Sequence, residues 1–360
     1  MWLLKMSLKS MVRQLFYRLY DYQSVYIDNS NIKLAVIHIP DQIGDAMSVF
    51  PVIRALEAGD VKHLLIVSST INQSIFETLS LRQTKLTVIS MSMQDNATFN
   101  EIKTVARKIR KEYGTPDICI EAMRRKNLKT MLFINRLRAR TNLQVAGLTM
   151  KCYSPVCKTA SRMDQIFRAP VPMTWAILMR DAGFPLVRAV FEFPLSEAVL
   201  TEVRSDISTL GRYIALNLEG SAKQRTFSLP VAEKLIAIIK KEIDLPIVIV
   251  HGPKGVDSSV SLTQSCDGVH RLSLPPSIMR SAAVINGAFL VITPDTSILH
   301  MASAYNIPAI AVYADYKTRW PAMQDISETI AVGKDIDHIN LDEFRAAIKR
   351  VITRIQSSPS

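Results

Sequence analysis

Several common signatures are missing from this chain, and each absence removes a class of function. No stretch approaches the ~20 consecutive apolar residues that a membrane-spanning helix needs. No Gly-x-Gly-x-x-Gly follows the first strand-like run, so the dinucleotide fingerprint is absent, and there is no Walker loop. Neither an internal repeat nor a low-complexity tract occurs; Ser357 to Ser360 form only a short polar tail. Cysteines number four: Cys119, Cys152, Cys157 and Cys266. Cys152 and Cys157 lie close, but no second close pair or nearby histidine completes a zinc set. A reduced cytosolic protein without a metal site is therefore expected. The basic start, Met1 to Ser10, is followed by no small-residue cleavage site, which argues against a signal peptide. The basic segments show no nucleic-acid motif and no interleaved aromatics, which sets nucleic acid aside as a partner.

What is present points to a soluble globular protein of two domains, with a hydrophobic share of 48% and a charged share of 21% over 360 residues. The net charge of +12 is unevenly spread. Residues 1–190 hold 27 Lys and Arg against 14 Asp and Glu, whereas the remainder holds 17 against 18. The excess suggests an anionic partner on the N-terminal side. Within residues 1–30, Leu4, Leu8, Met11, Leu15, Leu19 and Tyr22 fall on one helical face, with Lys5, Lys9, Arg13 and Arg18 largely opposite. Such a helix can lie on an anionic bilayer surface or pack on the domain.

In the N-terminal half, Ile32–Ile39, His63–Ser68, Leu86–Ser90 and Asp117–Glu121 read as strands. They alternate with helical stretches such as Ile71–Leu79 and Asn100–Tyr113, which is the pattern of a doubly wound parallel sheet. After the first strand come Pro40–Asp45 and a helix expected over Ala46–Ala58. Gly44 permits a tight turn there. Asp45 stands at the carboxyl end of the strand, where open α/β sheets place their ligands, as either a helix cap or a general base. Arg124, Arg125 and Lys126 follow the strand ending at Glu121 and would share that edge, which suits a substrate carrying phosphates or carboxylates.

A changeover is expected between about Arg180 and Ser208, where Gly183, Pro185 and Pro194 interrupt any long element. A second α/β series begins at Arg212–Leu218 and runs through Glu219–Phe227 to a helix starting after Pro230. Gly220, Ser221, Lys223 and Arg225 together look like a phosphate cradle. Leu245–Val250 is another strand, ending at His251. Farther on, the strand-like Ala288–Ile292 leads into Thr293-Pro-Asp-Thr-Ser-Ile-Leu-His300. Asp295 stands where a helix N-cap belongs, and the amides that follow make a natural anion site. Ala309–Tyr313 and a final helix over Leu341–Ile355 complete the reading.

Two motifs carry a resemblance. Ile43-Gly-Asp-Ala-Met-Ser-Val-Phe-Pro-Val-Ile-Arg-Ala-Leu56 resembles the N-terminal signature of glycosyltransferase family 9, the ADP-heptose:lipopolysaccharide heptosyltransferases, with Asp45, Pro51 and Arg54 in register. Asp295-Thr-Ser-Ile-Leu-His-Met-Ala-Ser-Ala-Tyr-Asn-Ile-Pro308 resembles the family's Asp-Thr-Gly-x-x-His-x-Ala-x-Ala motif without a gap. The resemblance implies a GT-B fold, in which two Rossmann-like doubly wound domains face a cleft. Residues 31–190 would bind the acceptor and 191–360 the nucleotide sugar. It further implies inverting, metal-independent transfer of heptose from ADP-heptose to a phosphorylated, Kdo-containing lipid A core, with no cofactor. Asp45 would be the base, with Gly44, Arg124, Arg125 and Lys126 on the acceptor. Ser221, Lys223, Arg225, Asp295, Thr296, Ser297 and Ile298 would hold the donor, Pro276 and Ser277 the adenine, and His300 would brace the loop. The enzyme would sit peripherally at the cytoplasmic face of the inner membrane.

Two departures bear on the donor: Ser297 replaces the family's Gly, and Arg225-Thr-Phe-Ser228 stands for its Lys-x-Trp-Pro. Another nucleotide sugar or acceptor on the same fold is the alternative. A non-enzymatic, basic, nucleic-acid-binding α/β protein is the rival from a different class.

Overall fold

The computed structural model of the protein describes residues 8–25, 31–125, 127–315 and 318–357. The chain divides into two compact units, Met1–Ala189 and Val190–Ser360, each built on its own parallel sheet.

In the first unit the strands are β1 (Leu34–Ile39), β2 (His63–Ser69), β3 (Lys85–Met91), β4 (Ile118–Glu121) and β5 (Thr141–Gln144). The helices are α1 (Leu8–Tyr20), α2 (Ile43–Ser48), α3 (Phe50–Ala58), α4 (Gln73–Glu77), α5 (Phe99–Tyr113), α6 (Leu128–Leu137), α7 (Cys157–Gln165) and α8 (Val171–Asp181). The sheet order is β3-β2-β1-β4-β5, parallel throughout. Every residue of β1 is buried, as expected of a central strand covered on both faces.

The single helix expected over Ala46–Ala58 is two. Val49 joins α2 to α3, because Pro51 in the first turn of α3 lacks the N–H that a continuous helix would use and its ring crowds the preceding turn. Strand β5 carries no apolar run that would mark it as a strand. Its sequence, Thr-Asn-Leu-Gln, is mostly polar, and the structure supplies the partners: Asn142 donates to the Tyr22 hydroxyl at 2.8 Å and to the Cys152 carbonyl at 2.7 Å. Helix α1 packs on α6, where Asn135 donates to the Tyr20 carbonyl at 2.8 Å. Of its expected apolar face, Met11, Leu15 and Leu19 are exposed. Leu4 lies outside the described residues, as does the Leu8 side chain. Tyr22 departs from that face: its ring lies 4.6 Å from the Arg138 guanidinium and its hydroxyl donates to Ala139.

The second unit holds β6 (Ile214–Asn217), β7 (Ile247–Val250), β8 (Val269–Arg271), β9 (Leu290–Pro294), β10 (Ala309–Tyr313) and β11 (Ser327–Ala331). Its helices are α9 (Glu197–Asp206), α10 (Leu229–Glu242), α11 (Val256–Ser265), α12 (Ile278–Asn286), α13 (Ser297–Ala304) and α14 (Leu341–Ser357). The order is β11-β10-β9-β6-β7-β8, again parallel. Helix α10 starts one residue before Pro230 rather than after it, placing the proline in the first turn where it costs no hydrogen bond. One face of the sheet buries Leu216, Ile249, Ile292 and Ile310 with Leu235 and Ile239 of α10 and Phe344 and Ile348 of α14.

Both sheets share one topological consequence. The chain builds outward from β1 toward β3, then returns to β4 on the other side of β1; it does the same from β6 to β9. At such a switch point the loops leaving two neighbouring strands diverge and open a crevice at their carboxyl ends.

Candidate functional site

The two sequence motifs occupy those two switch points. In the first unit, the turn after β1 carries Asp41 and leads into α2, whose first residues include Gly44 and Asp45, and the loop after β4 carries Arg124 and Arg125. Asp45 lies within α2 and keeps only partial solvent access. Burial, reinforced by Asp41 and opposed by Arg124 and Arg125, raises its pKa to about 7. A carboxyl poised near neutrality suits proton abstraction from a hydroxyl better than an ordinary aspartate does.

The arginines are directed first at carboxylates of their own unit. Arg124 contacts Asp164 at 2.6 Å, while Arg125 bridges Asp41 at 2.9 Å and Asp95 at 2.6 Å. Their charge is thus partly neutralised before any substrate arrives. Arg124 adopts a left-handed backbone, φ 45°, uncommon for a residue with a side chain. Lys126, expected beside them, lies outside the described residues.

Beneath this loop His38 and Glu121 meet on the last rung between β1 and β4, Nδ1 3.9 Å from Oε1. Burial lowers His38 to about 3 and raises Glu121 to about 8, so at neutral pH the contact joins two neutral groups rather than an ion pair. His38 stacks on Phe133 at 3.8 Å, and Glu121 accepts the Met123 amide at 2.8 Å, anchoring the start of the arginine loop.

In the second unit, Asn217 at the end of β6 ties the two diverging loops together. Its amide lies within hydrogen-bond reach of the Glu219 carbonyl at 3.0 Å, Thr293 Oγ1 at 2.9 Å and Thr296 Oγ1 at 3.2 Å. Arg225 completes the frame: its guanidinium donates to the Asp295 carbonyl at 3.1 Å and to the Ser221 hydroxyl, and lies 3.7 Å from the Asp295 carboxylate. Burial raises the Asp295 pKa, and Arg225 opposes the shift. Gly220 lets the strands of this loop close up, since a Cβ there would sit 2.4 Å from the Arg225 carbonyl oxygen. Lys223, the competing cation, is exposed.

Two expectations are corrected here. The cap of α13 is Thr296, whose hydroxyl accepts the Ile298 amide at 3.2 Å, and not Asp295, which pairs with Arg225 instead. The Ile298 amide is thereby occupied, leaving Thr296 and Ser297 as the amides that head the helix. His300 is buried, flanked by Phe191 at 4.4 Å and Trp320 at 5.2 Å, and burial lowers its pKa to about 3. It packs α13 as a neutral ring. Pro276 and Ser277 line a small open groove with Val250, His251 and Arg280. Ser277 caps α12, and Arg280 is held by Glu202 at 2.7 Å.

Asp41, Asp95, Asp164 and Glu219 enter the two sites through contacts that the sequence motifs do not contain. An acid four residues before Asp45 was the available signal for Asp41. Glu219 accepts the Gly252 amide at 2.9 Å, a contact between two loops that no local pattern encodes.

Comparison with known proteins bears on the family and the fold. The profile of Glycosyltransferase family 9 (heptosyltransferase) matches residues 184–342. YeeL of Escherichia coli (strain K12) is 61% identical over 234 residues, 65% of this chain and 100% of that protein. The crystal structure of the glycosyl transferase family 9 from Veillonella parvula DSM 2008 superposes with a TM-score of 0.72 at 16% identity, over 92% of this chain and 100% of that one. E. coli ADP-heptose lps heptosyltransferase II superposes with a TM-score of 0.68 at 14% identity, over 91% and 100%. At these identities the structural likeness is one of fold, two parallel-sheet α/β domains of the GT-B kind. The chain belongs to glycosyltransferase family 9 and is a glycosyltransferase.

Proposed function

We propose that this protein moves heptose from ADP-heptose to a phosphorylated, Kdo-containing lipid A core, inverting the anomeric centre, with Asp45 as general base. The observation that carries the reading is the pair of loops at the switch points: a carboxyl tuned to about 7 in one unit and a framed guanidinium in the other. The solved relative named for ADP-heptose and lipopolysaccharide shares the fold.

In this mechanism an acceptor hydroxyl loses its proton to Asp45 as its oxygen attacks the anomeric carbon. The bond from that carbon to the ADP oxygen breaks on the opposite face, and ADP departs with the electron pair. A positioned base contributes roughly 10²–10⁴-fold. Arg225 supplies the positive countercharge that a divalent cation provides elsewhere, and the amides of Thr296 and Ser297 complement the leaving phosphate. No cofactor takes part. Pro276 and Ser277 border the groove that would receive adenine, and Asp295 is placed to bind sugar hydroxyls beside Arg225. On the acceptor side, Gly44 lets backbone approach, and Arg124 and Arg125 would share their charge between Asp164, Asp41 and the acceptor's phosphates. An acceptor of this kind places the enzyme at the cytoplasmic face of the inner membrane.

The test is transfer itself. Purified protein is given ADP-heptose and Kdo-lipid A; release of ADP and a heptose mass gain on the acceptor are expected, both abolished by Asp45→Asn. Full activity in that variant removes Asp45 as base, and turnover with a different nucleotide sugar only would reassign the donor.

A further inference from the structure

Helix α1 leaves an apolar stripe uncovered by the described residues. Met11, Val12, Leu15 and Leu19 are 54–69% exposed, and at about 100° per residue they occupy a single arc of the helix. The adjoining arc is engaged: Phe16 stacks on Tyr20 at 4.2 Å, and Arg136 of α6 lies 5.9 Å from the Tyr20 ring. Docking on α6 therefore fixes the orientation of α1 and turns the stripe away from its own packing surface.

Helix α6 also packs on α5. That helix buries Ile102, Ala106 and Ile109 and exposes Arg107, Lys108, Arg110 and Lys111. None of these four cations is in an ion pair among the described residues, nor are Arg13 and Arg18 of α1. Glu112 is the one exposed carboxylate on α5. Exposed aliphatics on α1 and cations on α5 outside any ion pair among the described residues, two helices that both pack on α6, suit the boundary of an anionic bilayer, where methyl groups enter the acyl region and cations meet headgroups.

We propose that the α1–α6–α5 layer docks on an anionic lipid surface, with Met11, Val12, Leu15 and Leu19 inserted at the interface and the α5 cations against the headgroups. This deepens the reading of a lipid-borne acceptor and rests on it for its purpose, since docking would hold the enzyme where that acceptor lies.

The experiment is flotation of the full chain with vesicles of phosphatidylcholine, with or without phosphatidylglycerol. Binding is expected only with phosphatidylglycerol, weakened about tenfold by each of Leu15→Ser and Leu19→Ser. Arg107→Gln and Lys111→Gln should each weaken it about fivefold, and high salt should abolish it. Unchanged thermal unfolding controls for folding, and the α5 variants touch no buried contact. Absence of vesicle binding by the wild type, or equal binding by the Leu15→Ser/Leu19→Ser variant, overturns the proposal. So does a wild-type dimer that the same variant makes monomeric, which would assign the stripe to a second copy. Vesicle binding that persists in a protein transferring no sugar would sustain this surface while removing the catalytic reading.

Discussion

Replacing Asp45 by asparagine should make the protein more stable and inactive at once, and the stability gain should depend on pH. Asp45 has a pKa of about 7 in the folded chain against 3.8 for an unperturbed aspartate. Its folded pKa is raised, so the folded state binds the proton more tightly than the unfolded state. The sign follows: stability is fully retained below about pH 4 and declines as pH rises toward 7. Above that the folded chain carries an ionised carboxyl in an enclosed site. Three pH units at about 1.4 kcal/mol each put the ceiling of this cost near 4 kcal/mol. Asparagine is similar in shape and never ionises, so it avoids the cost. Thermal unfolding of wild type and Asp45→Asn at about pH 5 and about pH 8 should show the variant ahead by roughly 2 and 4 kcal/mol respectively. In melting temperature the larger gap corresponds to about 8–16 °C for a unit of this size. Transfer activity should fall by roughly 10²–10⁴-fold in the same variant. A variant that is less stable at pH 8, or whose advantage is the same at both pH values, would refute the view of Asp45 as a carboxyl held near its ionisation point by burial and Asp41.

Other expectations follow from the second unit. Arg225→Ala should lower kcat/KM by about 10²–10³-fold in an ADP-release assay, because the guanidinium is the cation built into the frame, whereas Lys223→Ala should change it less than about threefold. Gly220→Ala should weaken donor binding, read by calorimetry with ADP, since the added methyl meets the Arg225 carbonyl oxygen at 2.4 Å and must displace that residue. Asn217→Ala removes the tie between Thr293, Thr296 and Glu219, at a cost of about 1–3 kcal/mol in denaturant unfolding, and should weaken ADP binding alongside. His300→Phe should keep the stack with Phe191 and Trp320 and most of the stability; His300→Ala should cost about 2–4 kcal/mol by opening a cavity.

Much of the fold is legible because parallel sheets are covered on both faces and their strands are near-continuous apolar runs. β1, β2, β7, β9 and β10 announce themselves in this way. β5 and β8 do not: they sit at sheet edges and are short, and β5 is held by side-chain partners such as Tyr22 that are distant in sequence. Helix boundaries fail where a proline acts locally, as at Pro51 and Pro230, since the same residue can end one helix and begin another.

The candidate site divides along the same line. Its two motifs, around Asp45 and Asp295–His300, are contiguous stretches whose residue types and spacing survive in the sequence, so family and general chemistry could be read from them. The ionic partners could not. Arg125 reaches Asp41 and Asp95, Arg124 reaches Asp164, and Arg225 reaches Asp295 across separations of 30 to 84 residues. Such pairings depend on which strands become neighbours, a property of the whole sheet. The sequence by itself determined two α/β units and the two motifs, around Asp45 and Asp295, that stand at the carboxyl ends of their strands. Only the tertiary structure decided that Thr296 rather than Asp295 caps α13, that Arg225 rather than Lys223 enters the frame, and that burial beside Asp41 tunes Asp45, because desolvation and charge pairing arise only when distant segments meet.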